Sequence, residues 1–396
     1  MLPVTRPEMR IDPDERRARL ARRHRLAAES RAADPVETTR SLVALHSTDA
    51  SSVFLTTQAR TTHFVPADLE DALYEERTLV RMLGMRRTLW VVPRELASTV
   101  DAACTRVIAA RERKRLESAL AAEGVDDPSA WIEERIGAAV DALESRGEAF
   151  TSDLTRADPR LAEKVRLGAG RWQIEASAGS RLLPLLAAEG LVARGRPRGG
   201  WTNGQYRWSP IREWLGDDLR RSEPAAAQAE LLRCWLGAFG PATEADIRWW
   251  TGWTAREARG ALAAVPHSTV DLDGMTGYVL ADDREPTDPT APWAALLPTL
   301  DPTTMGWKER AWYLGPHGPT LFDANGNAGP TVWWDGRVVG GWSQRKDGEI
   351  VWELLEDVGS DAEAAVEAEA ARLGSWLGDA RIAPGFLPPF QRALAR

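Results

Sequence analysis

The sequence predicts an α+β chain in which three helix-helix-helix-hairpin units, each with the element order of a winged helix, precede a small C-terminal β-domain. Three observations predict it. The order of helical and strand-like segments restarts at intervals of roughly 80–100 residues, a period that points to repeated modules rather than to one core. Each restart ends in paired strand-like runs joined by a glycine-containing loop. After about Trp293 helical spacing gives way to short apolar runs rich in tryptophan. The 396 residues also exceed what one core usually serves. The expected boundaries are residues 1–122, 123–220, 221–290 and 291–396.

Taken in order, Ile11 to Arg25 places Asp12 and Asp14 ahead of an arginine-rich run, which reads as a capped, exposed helix. PVETTRSLVALHSTD, SSVFLTTQAR and PADLEDALYEE are three short helical patterns, followed by the β-rich TLVRMLGMRRTLWVVP. A long helical region from Arg94 through Ala122 connects to the next unit. There SAWIEERIGAAVDALESRG, EAFTSDLTRA and SAGSRLLPLLAAEGLV supply three helices, and LVARGRPRGGWTNGQYRWSP a strand, an arginine-glycine loop and a strand. AAAQAELLRCWLGAFG, TEADIRWWTG and TAREARGALAAV repeat the helices, and HSTVDLDGMTGYVLADD turns at Asp273-Gly274. From LLPTLDPTTMGWKERAWYL through DGEIVWELL short strands are expected, with a last helix from Ser360 to Leu377 packed on them. The 18 tryptophans read as core.

Composition narrows the function. No apolar run approaches the ~18–20 residues of a membrane span, and the first 25 residues are charged where a signal peptide is apolar. A cytoplasmic protein is expected. Two distant cysteines, Cys104 and Cys234, offer neither a zinc site nor a disulfide framework. A net charge of −8 excludes a chain basic all over, so any nucleic-acid face is local. Lys114, Lys164, Lys308 and Lys346 are the only lysines; arginine suits bidentate phosphate contacts, and a GC-rich coding bias gives the same composition. No GxxxxGK loop occurs, and GNAG near Gly326 lies between β segments, so no nucleotide cofactor is implied. No GxSxG, HExxH or clustering appears around His24, His46, His63, His267 or His317, so no serine or zinc hydrolase is supported.

Three clusters carry candidate chemistry. The second hairpin places Arg194, Arg196, Arg198 and Arg207 with no acid between Val192 and Trp208, and Trp201 and Tyr206 interleave with them. Such a hairpin lies along phosphates or is a solvated tip. Arg81, Arg86, Arg87 and Arg94 flank an apolar strand, facing DNA or water. In ALHSTDASS, His46, Thr48 and Asp49 have the groups to hold and polarise a water. Ser47, Thr48 or Asp49 serves equally as N-cap of the following helix.

LVALHSTD, MRRTLWVVP, LLPTLDPTTMGWKER and DGRVVGGW together resemble the winged-helix DNA glycosylases typified by AlkZ and YcaQ, over nearly the whole chain. The resemblance implies tandem winged helices ahead of a β-barrel-like domain. It also implies excision of alkylated or bulky adducted bases, in repair, crosslink opening or self-resistance to a DNA-alkylating metabolite. The family's motif is Gln-apolar-Gln or Gln-apolar-Asp; here His46 stands at its first position and Thr48 at its second, with Asp49 next. Carried over, residue 46 contacts the lesion nucleotide or water and residue 48 positions the water. Asp49 then stabilises the charge that builds on the sugar. Arg87 stands where the family leads one to expect glycine, and Trp90 where a polar ring is expected.

The expected function is therefore a DNA glycosylase with His46, Thr48 and Asp49 as catalytic residues. Arg60, Arg86, Arg87, Arg194, Arg196, Arg198 and Arg207 are its expected DNA contacts. The partner is double-stranded DNA carrying an adduct, the chain a monomer, and no cofactor, metal or membrane is required. The alternatives are a non-catalytic DNA-binding or regulatory protein that kept the fold and, third, a stack of modules that binds protein.

Overall fold

The computed structural model describes residues 9–167, 174–216, 219, 222–385 and 387–396. The first eight residues, read above for targeting, and residue 220, at the end of the second expected unit, lie outside these.

A short strand β1 (Met9–Arg10) leads into α1 (Pro13–Arg23), which starts at Asp12 because its carboxylate accepts the Glu15 amide at 2.9 Å. This helix is not the exposed one expected. Arg19 is 1% exposed, held by Glu15 and Asp283, while Arg22 and Arg23 donate to carbonyls of residues 288, 289, 237 and 240. The arginine run is consumed internally, because β1 pairs with Val270 and Asp271 far along the chain and draws α1 onto that unit.

The first unit comprises α2 (Pro35–Ser41), β2 (Leu45–His46), α3 (Ala50–Gln58) and α4 (Pro66–Glu70), the last continued by a π turn over Asp71–Glu75. Strands β3 (Leu79–Leu83) and β4 (Leu89–Pro93) follow, and the sheet order is β2-β4-β3. The helical pattern expected to run through His46 stops at Ser41. Val43 turns left-handed at φ +63°, which releases the chain into β2. Helices α5 (Arg94–Val100) and α6 (Arg106–Ala122) join through a π turn into the long connector expected.

In the second unit α7 (Pro128–Glu144), β5 (Ala149–Phe150), α8 (Thr151–Ala157) and α9 (Pro159–Ala162) precede an unforeseen strand pair, β6 (Lys164–Leu167) and β7 (Ile174–Ser177). Then come α10 (Ala178–Ala188), the hairpin β8 (Val192–Pro197) and β9 (Tyr206–Pro210), and α11 (Ile211–Leu215). The third unit is α12 (Pro224–Phe239), α13 (Glu244–Thr251), α14 (Ala255–Ala264) and the hairpin β10 (His267–Leu272) and β11 (Met275–Leu280). Asp273 and Gly274 both take positive φ at its turn, as a two-residue hairpin loop requires.

The C-terminal region contains β12 (Ala294–Leu297), α15 (Ala311–Leu314), α16 (Gly318–Leu321), β13 (Thr331–Trp334), β14 (Arg337–Gln344), β15 (Ile350–Leu354), α17 (Ser360–Leu377) and α18 (Pro389–Leu394). Its sheet runs β12-β13-β14-β15 with two edges, so the barrel-like expectation is corrected to an open antiparallel sheet. Helix α17 covers one face, setting Val366 and Leu373 against Leu296, Val339 and Trp342. The stretch LDPTTMGWKER, expected to be strand, is irregular backbone.

One apolar cluster runs through Leu20, Leu45, Phe54, Trp90, Trp235, Trp250, Trp307 and Trp333, so the first, third and C-terminal regions share a core. The second unit packs mainly around its own cluster, including Leu116, Ile136, Leu182 and Trp208. Trp90, Trp235, Trp250, Trp333 and Trp342 are fully buried, which accounts for much of the tryptophan content as core. No described helix is long and apolar enough to cross a membrane.

Candidate active site

Strand β2 pairs with β4 in the register His46↔Trp90 and Leu45↔Val91, and β3 with β4 as Met82↔Trp90 and Arg81↔Val91. Cross-strand partners project to one face and alternate residues to the other. His46, Trp90 and Met82 therefore share a face, and Trp90 meets Trp250 of the third unit at 5.7 Å between ring centroids. On the opposite face the Arg81 guanidinium lies 4.4 Å over Tyr206 of the second unit. The small sheet sits between the second and third units, with His46 turned toward the third.

His46 is 2% exposed, and among the described residues neither ring nitrogen has a hydrogen-bond partner. Its ring meets Trp90 edge-on at 4.8 Å. Burial, with the nearby Arg86 guanidinium, pushes its pKa down to about 3, so the imidazole is neutral at any physiological pH. Thr48 is exposed and makes no side-chain hydrogen bond among the described residues. The backbone that presents these residues carries Val43 in a conformation β-branched residues rarely adopt, a strain that concentrates at functional sites.

Asp49 is the N-cap of α3. Its Oδ1 accepts from the Ser51 amide at 3.1 Å, the Ser51 hydroxyl at 2.6 Å, the Ser52 amide at 3.1 Å and the Ser52 hydroxyl at 3.3 Å. Its Oδ2 accepts the Gly385 amide at 3.0 Å, tying the site to the C-terminal segment. The capping role is thus occupied by Asp49, and the carboxylate is 8% exposed.

The arginines divide sharply. Arg60 is fully buried: it pairs with Asp301 at 2.7 and 2.9 Å and donates to the His24 and Thr56 carbonyls. The expectation of a DNA contact there is corrected, because its donors are spent inside the protein. Arg81 donates to Ser47 Oγ and the Tyr74 hydroxyl. Arg194 is 9% exposed and lies 4.6 Å over Trp208, with one terminal nitrogen unpartnered among the described residues. Arg196 is held by Glu70 and Glu75, Arg207 by Glu148, and Arg87 by Glu112. Trp201 at the hairpin tip packs on Phe54 and Trp376 at 5.0 and 5.6 Å. The hairpin lies against its neighbours rather than projecting as a free tip. Among the described residues Arg198 keeps only the Phe150 ring and a 3.3 Å bond to Ser152.

Arg86 differs from these. It is left-handed at φ +54°, half-buried, and lies 4.1 Å over Trp249. Arg310 lies 4.8 Å from the same ring and 4.8 Å from Phe322. Sequence reasoning named neither Trp249 nor Arg310. RWW and MGWKER were visible as motifs, but only packing of the third unit on the C-terminal region brings them together.

A family model described as DNA glycosylase AlkZ-like matches residues 39–376. An "interstrand DNA cross-link repair glycosylase" of Streptomyces sahachiroi is 29% identical over 241 residues, 56% of this chain, and the match spans 61% of that relative's length. The solved structure of Streptomyces sahachiroi DNA glycosylase AlkZ shares the fold at a TM-score of 0.73 and 22% identity, covering 94% of this chain and 99% of that one. With the family match extending over most of its length, the chain belongs to the AlkZ-like DNA glycosylase family.

Proposed function

We propose that this protein is a DNA glycosylase that hydrolyses the N-glycosidic bond of alkylated or bulky adducted purines in duplex DNA, in repair or in self-resistance to a DNA-alkylating metabolite. It acts as a cytoplasmic monomer without a cofactor, and its three helical units serve as winged-helix modules, with boundaries near residues 122, 220 and 290. The observation that carries the reading is His46: a buried ring with both nitrogens unmatched, a state that costs about 1–3 kcal/mol per polar group and persists where a ligand completes the bonding.

A neutral imidazole offers one N–H donor and one acceptor. In this reading His46 contacts the lesion nucleotide or accepts from the attacking water, and the exposed Thr48 hydroxyl orients that water. An N-alkylated purine already carries positive charge and leaves without a general acid, so a histidine that stays uncharged is compatible with the chemistry. Asp49, with both oxygens bonded, acts through its negative charge on the oxocarbenium-like sugar and by holding the loop, rather than by taking a proton.

The same saturation of Asp49 favours the second reading, a non-catalytic DNA-binding protein that kept the fold. The test is incubation with duplexes carrying 7-methylguanine or a bulkier adduct, followed by base-release analysis. Release that is lost in the His46→Ala, Asp49→Ala double variant, with DNA binding retained, supports the enzyme. Tight DNA binding without release of any base supports the alternative.

A further inference from the structure

Beside His46 the fold assembles a group of side chains of which the sequence marks only Arg86, as a DNA contact; Asp246, Trp249, Gly252 and Arg310 carry no assigned role. Asp246, fully buried, accepts the Thr243 amide and hydroxyl through Oδ2, each at 2.8 Å, closing the N-terminus of α13. Through Oδ1 it accepts the backbone amides of Lys308 and Glu309 at 2.7 and 2.8 Å. One carboxylate therefore fastens the C-terminal segment to α13 and sets Arg310 beside Trp249 of that helix. From the first unit, the turn between β3 and β4 delivers Arg86 to the same indole. Gly252 lets it approach: a Cβ there would stand 3.3 Å from the Arg86 amide nitrogen and 3.4 Å from its Cα. Three separate regions of the chain thus converge on one ring.

Two guanidiniums at one ring repel each other. Among the described residues neither Arg86 nor Arg310 has a salt-bridge partner, whereas Arg60, Arg87, Arg196 and Arg207 are each matched by carboxylates. Burial and the Arg310 charge together push Arg86 down to about 10. Cation-π contact with Trp249 compensates only partly. A group of this kind is completed by an anion that accepts from both forks at once, and the phosphodiester is the anion a duplex supplies at every step. The position is informative, because Arg86 lies close enough to His46 to depress its titration.

We propose that Arg86 and Arg310, seated on Trp249, form a clamp for the single backbone phosphate next to the nucleotide that His46 faces. The assignment rests on the glycosylase reading for the identity of that nucleotide, but not for the clamp's affinity for DNA. Gripping this phosphate fixes the register of the duplex, so that one sugar is presented to His46 and Thr48.

The experiment is anisotropy with a duplex containing a tetrahydrofuran abasic analogue, titrated across salt concentrations, for wild type, Arg310→Gln and Arg86→Gln. Each variant should bind about tenfold more weakly, and the slope of log K against log salt should fall by about one. A second series replaces each flanking phosphate by a neutral methylphosphonate. Wild type should lose about a hundredfold at one position, where both arginines bond the phosphate, and Arg310→Gln only about tenfold at that position. Unchanged affinity and slope in a folded Arg310→Gln protein, or an equal methylphosphonate penalty in variant and wild type, would overturn the clamp. Absence of binding to any duplex would overturn it as well. Failure of wild type to release an adducted base sinks the catalytic reading alone, since the binding comparison still decides the clamp.

Discussion

Replacing Asp301 by leucine should cost about 3–5 kcal/mol of stability, because Arg60 is then left charged with no exposed surface and no counter-ion. The structure sets this scale. Both partners are fully buried, and the pair is bidentate at 2.7 and 2.9 Å. Asp301 also accepts from the Thr56 hydroxyl and the Thr303 amide, each at 2.9 Å. Removing both charges in Arg60→Met, Asp301→Leu leaves those two lesser donors unmatched but no buried ion, so the double variant should recover at least about 2 kcal/mol relative to Asp301→Leu. Urea unfolding at neutral pH, followed by tryptophan fluorescence of the shared core, measures both. A loss under about 1 kcal/mol for Asp301→Leu, or a double variant no more stable than the single, would refute the claim that this pair locks the first unit to the C-terminal region.

Three further outcomes follow from the same geometry. Asp49→Ala should cost about 1–2 kcal/mol through loss of the α3 cap, with Asp49→Asn retaining most of it; chemical denaturation distinguishes the two. Because His46 titrates near 3 when folded against an ordinary 6.5, the unfolded chain takes up its proton first as pH falls. Stability from this difference is full above the ordinary value and declines by about 1.4 kcal/mol per pH unit below it, until the folded ring titrates. His24, also depressed by burial, adds in the same direction, so His46→Phe should make the acid slope shallower without abolishing it. Arg198→Ala should lower the salt slope of DNA binding by about one, while Arg196→Ala, already held by Glu70 and Glu75, leaves it unchanged.

The order of elements was legible because it is written locally. Asp12 caps the helix it precedes, Asp273-Gly274 turns its hairpin, and the period of α17 carries through Val366, Ala370 and Leu373. The strand pair β6 and β7 escaped notice, lying in a stretch without alternation strong enough to stand out. The fate of the arginines was not legible at all. Arg60, Arg194 and Arg198 are alike in sequence, and only tertiary packing sends the first to Asp301, the second over Trp208 and the third toward solvent. Asp49 was recognisable both as cap and as catalytic candidate, because the same carboxylate geometry suits either. The orphaned ring of His46 required the structure, since it depends on Trp90 opposite and Arg86 alongside.

The central claim is that His46 is kept buried and unmatched for the sake of substrate. His46→Phe measures it most directly, because phenylalanine fills the space beside Trp90 and removes both unmet nitrogens. The account predicts a protein at least as stable as wild type that binds abasic-analogue duplex normally, yet releases 7-methylguanine at least about a hundredfold more slowly. Release at the wild-type rate by a folded His46→Phe protein would contradict it.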